Sequence, residues 1–299
     1  MKIQLKKRRT GVLIFCMLLP AIVFPLCMTY FPMLQGITMG FKNYKLTNIN
    51  NIYWNHFANF KKLFTPSLTN TFYLTVKNTV VWVAVSLLFQ FVIGFGLALV
   101  LRKKFRGSSL YQGLVFFPWA VSGFVIALMW RWMFNGTSGV FNDMLMRLNL
   151  IQEPIAWLAS KKTALYCCIL TNIWYGVPYF TIMISAALRG IDPTLYEAAD
   201  MDGANQFQQF KAITLPSINA VLKLTLLLRV IWIFNFAEII YTMTNGGPSG
   251  STEILTTLMM KYIDSYDYGM AGATGVVCIV VLTIFATIYV SSLKMENAE

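Results

Sequence analysis

Residues 79–101, TVVWVAVSLLFQFVIGFGLALVL, form an apolar run without a charged side chain. A helix rises about 1.5 Å per residue, so this run is long enough to cross a hydrocarbon core of about 30 Å. Apolar runs of similar length lie at residues 11–34, 109–134, 163–188, 218–243 and 270–293. Because barrel strands would alternate in polarity, these continuous runs predict an all-α membrane protein with six transmembrane helices.

The composition and the charge pattern agree with a membrane protein. Hydrophobic residues make up 57% of the chain and charged residues 12%, whereas soluble domains carry about 25% charged residues. The net charge of +12 could indicate a nucleic-acid partner, but many basic residues form two clusters that adjoin apolar runs. These clusters are Lys2, Lys6, Lys7, Arg8 and Arg9, and Arg102, Lys103, Lys104 and Arg106. We interpret them as topology signals and predict no nucleic-acid partner.

The same clusters predict the orientation of the chain. Basic residues beside membrane spans tend to stay in the cytoplasm, which places the N-terminus there. Counting through six spans then places the loop of residues 190–217 and the C-terminus in the cytoplasm as well. Lysines in the long external loop of residues 35–78 count against this orientation, although long loops carry less weight. They are Lys42, Lys45, Lys61, Lys62 and Lys77.

The N-terminus, the cysteines and the histidine give no sign of a signal peptide or a metal site. The first apolar run continues to about Leu34 without a small-x-small cleavage site, so it is predicted to remain as a span. His56 has no Cys or second His with which to bind a metal. The five cysteines lie in predicted spans without disulfide or metal spacing and are interpreted as small apolar residues: Cys16, Cys27, Cys167, Cys168 and Cys278.

We predict three regions along the chain. Residues 1–71 comprise an N-terminal tail, an accessory first helix and an Asn-rich external loop that cannot cross a membrane. Residues 72–293 form a five-helix transmembrane domain that includes the loop of residues 190–217, and residues 294–299 form a cytoplasmic tail.

The loop of residues 190–217 is predicted to contain two short helices. Asp192 is suited to cap the first helix and Pro193 to begin it, while Gly203 allows the chain to turn. A second helix then offers an apolar face of Phe207, Phe210 and Ile213. Pro216 is expected to separate that helix from the fifth span. The result is an exposed apolar knob with the shape of an element that inserts into a groove of another protein, although a loop that lies along the membrane interface is the alternative.

The sequence of this loop resembles a known motif. Glu197-Ala198-Ala199-Asp200-Met201-Asp202-Gly203-Ala204, followed by Ile213-Thr214-Leu215-Pro216, is similar to the loop with which permeases of ATP-binding cassette (ABC) importers bind their ATPase subunits. Further segments resemble the carbohydrate branch of that family, the group of the maltose, glycerol-phosphate and multiple-sugar permeases. They are Phe117-Pro118-Trp119, Trp130-Arg131-Trp132, Asn172-Ile173-Trp174-Tyr175-Gly176, Phe234-Asn235-Phe236 and Thr244-Asn245-Gly246-Gly247-Pro248.

This resemblance implies the partners and the role of the chain. It implies import of a sugar or oligosaccharide across the bacterial plasma membrane by alternating access. A second homologous permease, two ATP-binding subunits that hold ATP and Mg, and an external solute-binding protein would complete the assembly. The residues implied in ATPase coupling are Glu197, Ala198, Ala199, Asp202, Gly203, Ala204, Ile213, Leu215 and Pro216. No Gly is followed by Lys in the sequence, so the phosphate-binding P-loop is absent and this chain is predicted to be neither an ATPase nor a cofactor-binding protein.

Polar residues within spans are the candidates for a solute pathway, since such residues tend to face a bundle interior or a water-filled cavity. Amide, carboxylate and aromatic side chains suit sugar binding, but Asn and Gln also tie helices together and Trp and Tyr favour interfaces. Asn235 and Glu238 are three residues apart and are predicted to share a helix face. The candidates are Gln90, Asn172, Trp174, Tyr175, Arg229, Asn235 and Glu238. The resemblance also implies that the partner permease can carry most of the solute contacts.

Three other functions can be weighed against that of a sugar importer permease. The first, which remains open, is an importer permease for another solute, such as a peptide, an ion or glycerol phosphate. An ion-coupled secondary transporter would show inverted repeats and paired broken helices, which the sequence does not indicate. A membrane enzyme is set aside because no nucleophile and base, and no cluster of His, Asp and Glu, share one depth in the spans.

Overall fold

The computed structural model describes residues 14, 15, 17–66, 71–102 and 106–296, with side chains up to residue 293. The N-terminal basic cluster, Cys16, Lys103 and Lys104 lie outside the described residues, as do residues 297–299. Contacts group the chain into a first-helix unit, residues 1–65 and 259–280, and a core unit, residues 66–258 and 281–299. The domain boundary at residue 71 stays a prediction.

The described residues are mostly helical. The first-helix unit begins with α1 (Met17–Met39), a short antiparallel pair β1 (Lys42–Asn43) and β2 (Tyr53–Trp54), and α2 (Ala58–Phe64). The core unit contains α3 (Phe72–Arg102), α4 (Ser108–Phe116), α5 (Gly123–Met133), α6 (Val140–Arg147), α7 (Ala164–Arg189), α8 (Thr194–Met201), α9 (Gln206–Gln209), α10 (Leu215–Asn235) and α11 (Glu238–Met243). Residues of α12 (Leu255–Asp264) and α13 (Tyr268–Glu296) are divided between the two units.

Small residues and one buried amide hold the first-helix unit together. A Cβ atom on Gly40 would lie 2.8 Å from the backbone nitrogen of Ala273, so only glycine allows this close approach. Asn59 donates hydrogen bonds to the carbonyl oxygens of Gly40, at 2.9 Å, and Lys42, at 2.8 Å. The amide thereby gives two backbone carbonyl oxygens at the start of the strand pair a hydrogen-bond partner.

The long helices α3 and α7 form the centre of the core unit. A Cβ atom on Gly94 of α3 would lie 2.6 Å from the Cβ atom of Phe180 on α7, so glycine sets the distance between the two helices. Trp82 is fully buried, and its Nε1 donates a 2.9 Å hydrogen bond to the carbonyl oxygen of Ile233 on α10. A buried indole is stable here because its only polar atom has a partner.

Within the described residues, five helices are long and apolar enough to cross a membrane: Met17–Met39, Phe72–Arg102, Ala164–Arg189, Gln206–Met243 and Tyr268–Leu293. They match the first, second, fourth, fifth and sixth predicted spans, with ends that differ by up to twelve residues, at the start of the fifth span (206 against 218). The third predicted span, residues 109–134, is instead a bent pair whose two segments, Ser108–Ala120 and Gly123–Met133, meet at 98°. The bend follows from a 3₁₀ turn at Phe117–Ala120 and extended backbone at Val121 and Ser122.

Two predictions about the fifth span are wrong. Pro216 does not separate a loop helix from the span, because the helix is continuous through a π turn at Phe210–Thr214, where the N–H of Leu215 bonds to the carbonyl oxygen of Phe210. The wider turn shifts the hydrogen-bond register just before proline, which has no N–H to offer. Asn235 and Glu238 do not share a regular helix face, since Phe236 (ψ 73°) breaks the helix between them.

Candidate functional site

The loop of residues 190–217 forms the first predicted short helix, α8, whereas the second, α9, is the first turn of the helix that continues into the fifth span. Asp192 accepts a 3.0 Å hydrogen bond from the N–H of Thr194 at the start of α8, and this bond lowers the pKa of its carboxyl group. Gly203 has a φ of +76°, the left-handed conformation that glycine adopts without strain. Asn205 and Gln208 then form a reciprocal capping box at the start of α9.

The tip of this loop presents apolar side chains to its surroundings. Met201 is 89% exposed and Phe207 is 74% exposed. The coupling candidates Glu197, Ala198, Asp202 and Gly203 are also exposed. The other candidates are half-buried (Ala199, Ala204 and Ile213) or exposed (Leu215 and Pro216). Exposed apolar side chains edged by carboxylates are typical of a protein docking surface.

The base of the loop is attached to the transmembrane helices by specific contacts. The hydroxyl groups of Tyr196 and Thr214 lie 2.7 Å apart, which joins α8 to the start of the fifth span. The guanidinium of Arg102, at the end of α3, lies 4.4 Å from the ring centroid of Tyr196. Phe95 of α3 makes an edge-to-face contact with Phe210, with ring centroids 6.1 Å apart. A displacement of the loop would therefore act on α3 and α10.

A second feature of the core unit is a cavity of about 430 Å³ among α7, α10 and the bend before α5. Its walls combine aromatic rings, amides and one cation, and none of these described lining residues is acidic. The lining residues are Trp119, Asn172, Tyr175, Arg229, Trp232, Ile233, Asn235 and Phe236. Mixed aromatic and polar walls of this kind suit a polar ligand with apolar faces.

A buried network holds the cation in the cavity wall. Arg229 is 3% exposed, and its Nε donates a 2.7 Å hydrogen bond to Oε1 of the fully buried Gln90. Gln90 in turn donates from Nε2 to the carbonyl oxygen of Asn172, at 2.8 Å. The network joins α3, α7 and α10, and Gly176 leaves the room for it, because a Cβ atom there would collide with Arg229 and Gln90.

The amide of Asn172 and the aromatic rings complete the cavity wall. Neither Oδ1 nor Nδ2 of Asn172 has a hydrogen-bond partner, although the residue is fully buried. A buried amide without a partner is costly, and a bound polar ligand would satisfy it. Trp119 and Trp232 lie 6.0 Å apart between ring centroids, and Tyr175 stacks on Phe236 at 5.2 Å with an interplanar angle of 3°.

The structure brings some of the predicted pathway residues together and places others elsewhere. Asn172, Tyr175, Arg229 and Asn235 line the cavity, and Gln90 lies behind Arg229. Trp174 instead packs on Trp130, with ring centroids 5.8 Å apart, and lines a different cavity. Glu238 is exposed beside Gly123. The sequence analysis did not predict that Trp119, Trp232, Ile233 and Phe236 line this cavity. It did single out the segments of residues 117–119 and 234–236 as similar to carbohydrate permeases, but not as part of a solute pathway.

The described residues contain no group of three or more His, Cys, Asp or Glu side chains that could hold a metal ion. Within the described part of the chain, Cys167, Cys168 and Cys278 are buried free thiols and Cys27 is an exposed one.

Comparisons with known proteins place the chain in a transporter family. Residues 90–295 match the family described as binding-protein-dependent transport system inner membrane component. The chain is 36% identical to a probable ABC transporter permease of Brucella suis over 79% of this chain and 81% of that protein. It is 34% identical to the trehalose/maltose transport system permease protein MalF of Thermococcus litoralis, over 73% of each chain.

A solved structure is similar over nearly the whole chain. It belongs to a bacterial ABC transporter involved in the import of the acidic polysaccharide alginate, with a TM-score of 0.85, 27% identity and coverage of 98% of each chain. Another structure of the bacterial alginate transporter, with a pentasaccharide-bound periplasmic protein, matches with a TM-score of 0.81, 26% identity and coverage of 95% of this chain and 94% of that one. From the family match, the relatives and the shared fold we conclude that this chain belongs to the family of inner membrane components of binding-protein-dependent transport systems, as a multi-pass permease of an ABC transporter.

Proposed function

We propose that this permease passes a sugar or oligosaccharide from an external solute-binding protein into the cytoplasm. The observation that carries the proposal is the cavity of about 430 Å³, with the unpartnered amide of Asn172 beside the rings of Trp119, Tyr175 and Trp232. Sugars offer hydroxyl groups for amides and C–H faces for aromatic rings, and the cavity provides both types of partner. Relatives that transport trehalose, maltose, maltodextrin or galactooligosaccharides support the same solute class.

The exposed loop of residues 190–217 is proposed as the docking element for a separate ATPase. The coupling residues would be Glu197, Ala198, Ala199, Asp202, Gly203, Ala204, Ile213, Leu215 and Pro216. In this proposal the loop, the N-terminus and the C-terminus face the cytoplasm, where two ATPase subunits bind ATP and Mg. A second homologous permease completes the pathway, residues 1–71 form an accessory region, and residues 72–293 form the transmembrane domain.

The test is uptake of labelled saccharides by the complete complex in proteoliposomes that contain ATP and Mg. The panel includes neutral maltooligosaccharides and uronate oligosaccharides, because Arg229 places a cation in the wall. Trp232→Ala is expected to raise the solute concentration for half-maximal uptake at least about tenfold, since stacking and apolar contact are lost. Trp132→Ala is the matched control, because Trp132 is similarly exposed (65% against 55%) but does not line the cavity. Equal uptake by the two variants, or no saccharide uptake by the unaltered complex, would overturn the proposal.

A further inference from the structure

The core unit has another concave site, which shares no lining residue with the cavity described above. This Arg131 pocket has a volume of about 440 Å³. Its walls come from the end of α5, the segment before α7 and the turn after α11. The lining residues are Arg131, Phe134, Asn135, Gly136, Ala156, Trp157, Leu158, Ala159, Met243, Thr244, Gly247 and Pro248. The pocket is thus mainly apolar and carries a single cationic side chain.

Buried polar groups hold the walls of the Arg131 pocket in place. Asn142, 1% exposed, donates hydrogen bonds to the carbonyl oxygens of Gly136 at 2.9 Å and Ile155 at 3.0 Å. Its Oδ1 accepts bonds from the N–H of Ile155 at 3.2 Å and from Nε1 of Trp157 at 2.8 Å. All four bonding positions of this amide are therefore used to fix two walls.

The opposite wall is also fixed. Thr252 donates a 2.8 Å hydrogen bond to the carbonyl oxygen of Gly247, next to Pro248, and its hydroxyl lies 2.8 Å from that of Thr244. A site whose walls are already ordered loses little conformational entropy when a partner binds.

The pocket lies at the opposite end of α7 from the loop of residues 190–217. Its wall at residues 156–159 leads directly into α7, and the loop begins where α7 ends. With 26 residues, α7 is about 39 Å long, more than the thickness of a hydrocarbon core. If the loop docks on a cytoplasmic ATPase, as proposed above, the Arg131 pocket opens on the external face.

The cationic side chain in this lining points to an acidic partner. Arg131 is exposed, and one of its nitrogens donates a 3.2 Å hydrogen bond to the carbonyl oxygen of Thr242, which holds the side chain at the rim. The guanidinium has further N–H groups for an incoming carboxylate. Lys161 and Lys162, both exposed, follow Trp157 in the sequence, and Glu153, also exposed, precedes it.

We propose that the Arg131 pocket receives a carboxylate-bearing projection, an Asp or Glu side chain flanked by apolar residues, of the external solute-binding protein. The inference depends on the proposed function, since it needs the pocket on the external face. The family is defined by its dependence on a binding protein, and a rigid apolar pocket with a cationic rim is the complement of such a projection. The carboxylate pairs with Arg131 while the apolar neighbours contact Trp157 and Pro248.

The test measures stimulation of ATP hydrolysis by the solute-loaded binding protein that co-purifies with this chain, using the complete complex in lipid nanodiscs. Arg131→Glu is expected to raise the binding-protein concentration for half-maximal stimulation at least about tenfold, because a charge pair becomes a repulsion. The maximal rate at saturation stays the same, and the effect shrinks in high salt. Arg147→Glu is the matched control: it changes the net charge equally, and Arg147 is exposed and already paired with Asp143 at 3.0 Å. It is expected to change the half-maximal concentration less than twofold.

Charge reversal separates recognition from a merely structural role of Arg131. Exposed Asp and Glu residues of the binding protein are changed singly to Lys, and one of them is expected to restore the affinity of the Arg131→Glu complex. Should that complex not assemble, Arg131→Gln replaces it, with an expected loss of about threefold. The inference would be overturned if the Arg131 variants had the same half-maximal binding-protein concentration as Arg147→Glu, or if no charge reversal in the binding protein restored the affinity. It would also be overturned if the Arg131→Glu complex lost the second permease while its affinity for the binding protein stayed unchanged. A complete complex that no binding protein stimulates would instead overturn the proposed function.

Discussion

Replacement of Gly203 by leucine tests the docking role of the loop most directly. Gly203 has a φ of +76°, and a Cβ atom there would meet no atom of the described residues within 4 Å. Within the chain, the substitution therefore costs only the strain of an L-residue in the left-handed region, roughly 1–2 kcal/mol. That strain corresponds to a loss of binding of about 5- to 30-fold at most. If an ATPase groove closes around the loop, the leucine side chain adds a steric clash, and uptake and coupled ATP hydrolysis are abolished.

The chain offers a matched control for backbone strain. Gly107 has a φ of +91°, and an added Cβ atom there likewise has no neighbour within 4 Å in the described part of the chain, but Gly107 precedes α4 and not the docking helices. Gly107→Leu and Gly203→Leu are expected to lower the melting temperature of the solubilised protein by similar amounts. Only Gly203→Leu is expected to lose the ATPase subunits on affinity purification.

A third variant removes the strain from the comparison. Glu197 is exposed on α8, so Glu197→Lys changes the charge of the loop without altering its backbone. It is expected to lose uptake while membrane insertion and melting temperature stay unchanged. Uptake by Gly203→Leu equal to that of Gly107→Leu, together with normal uptake by Glu197→Lys, would refute the docking assignment.

Two further predictions concern the polar networks of the core unit. Gln90→Leu removes the partner of the Arg229 Nε atom and is expected to destabilise the protein by about 1–3 kcal/mol. Gln90→Glu is the control because it keeps an acceptor for Arg229. Equal melting temperatures for the two variants would contradict the network. Asn142→Leu leaves two carbonyl oxygens and two N–H groups without their partner and is expected to cost roughly 2–4 kcal/mol. That loss appears as a lower melting temperature, and a change below about 1 kcal/mol would show that water replaces the amide.

Hydropathy predicts the long helices well because the hydrocarbon core contains no water to bond to the backbone. An apolar segment that crosses it therefore pairs its own N–H and C=O groups by forming a helix. It does not predict the bend before α5, since the two segments around Phe117–Ala120 are both apolar and differ only in backbone conformation. The π turn at Phe210–Thr214 is hidden for the same reason. A proline in the sequence signals a lost N–H, but whether the chain breaks or shifts its register depends on the packing around it.

The cavity is harder to predict because depth in the membrane does not determine direction around a helix. Asn172 and Trp174 are two residues apart in α7, yet Asn172 faces the cavity with Arg229 whereas Trp174 packs on Trp130. Residues two apart on a helix point about 200° apart, so only one of them can face a given neighbour. Trp232 was missed because an aromatic residue in a span resembles an interface anchor until its neighbours are known.

The loop of residues 190–217 and the cavity at Arg229 are connected through α3. Arg102 and Phe95 of α3 contact the base of the loop, Gly94 packs against α7, and Gln90 holds Arg229 in the cavity wall. These residues span 13 positions of one helix, about 18 Å along its axis. Because a regular helix transmits displacement with little bending over that length, a shift of the loop must either move Gln90 and Arg229 or break the contacts of Tyr196 and Phe210. A switch between two packed arrangements of α3 is therefore the mechanism by which ATPase closure would reshape the cavity.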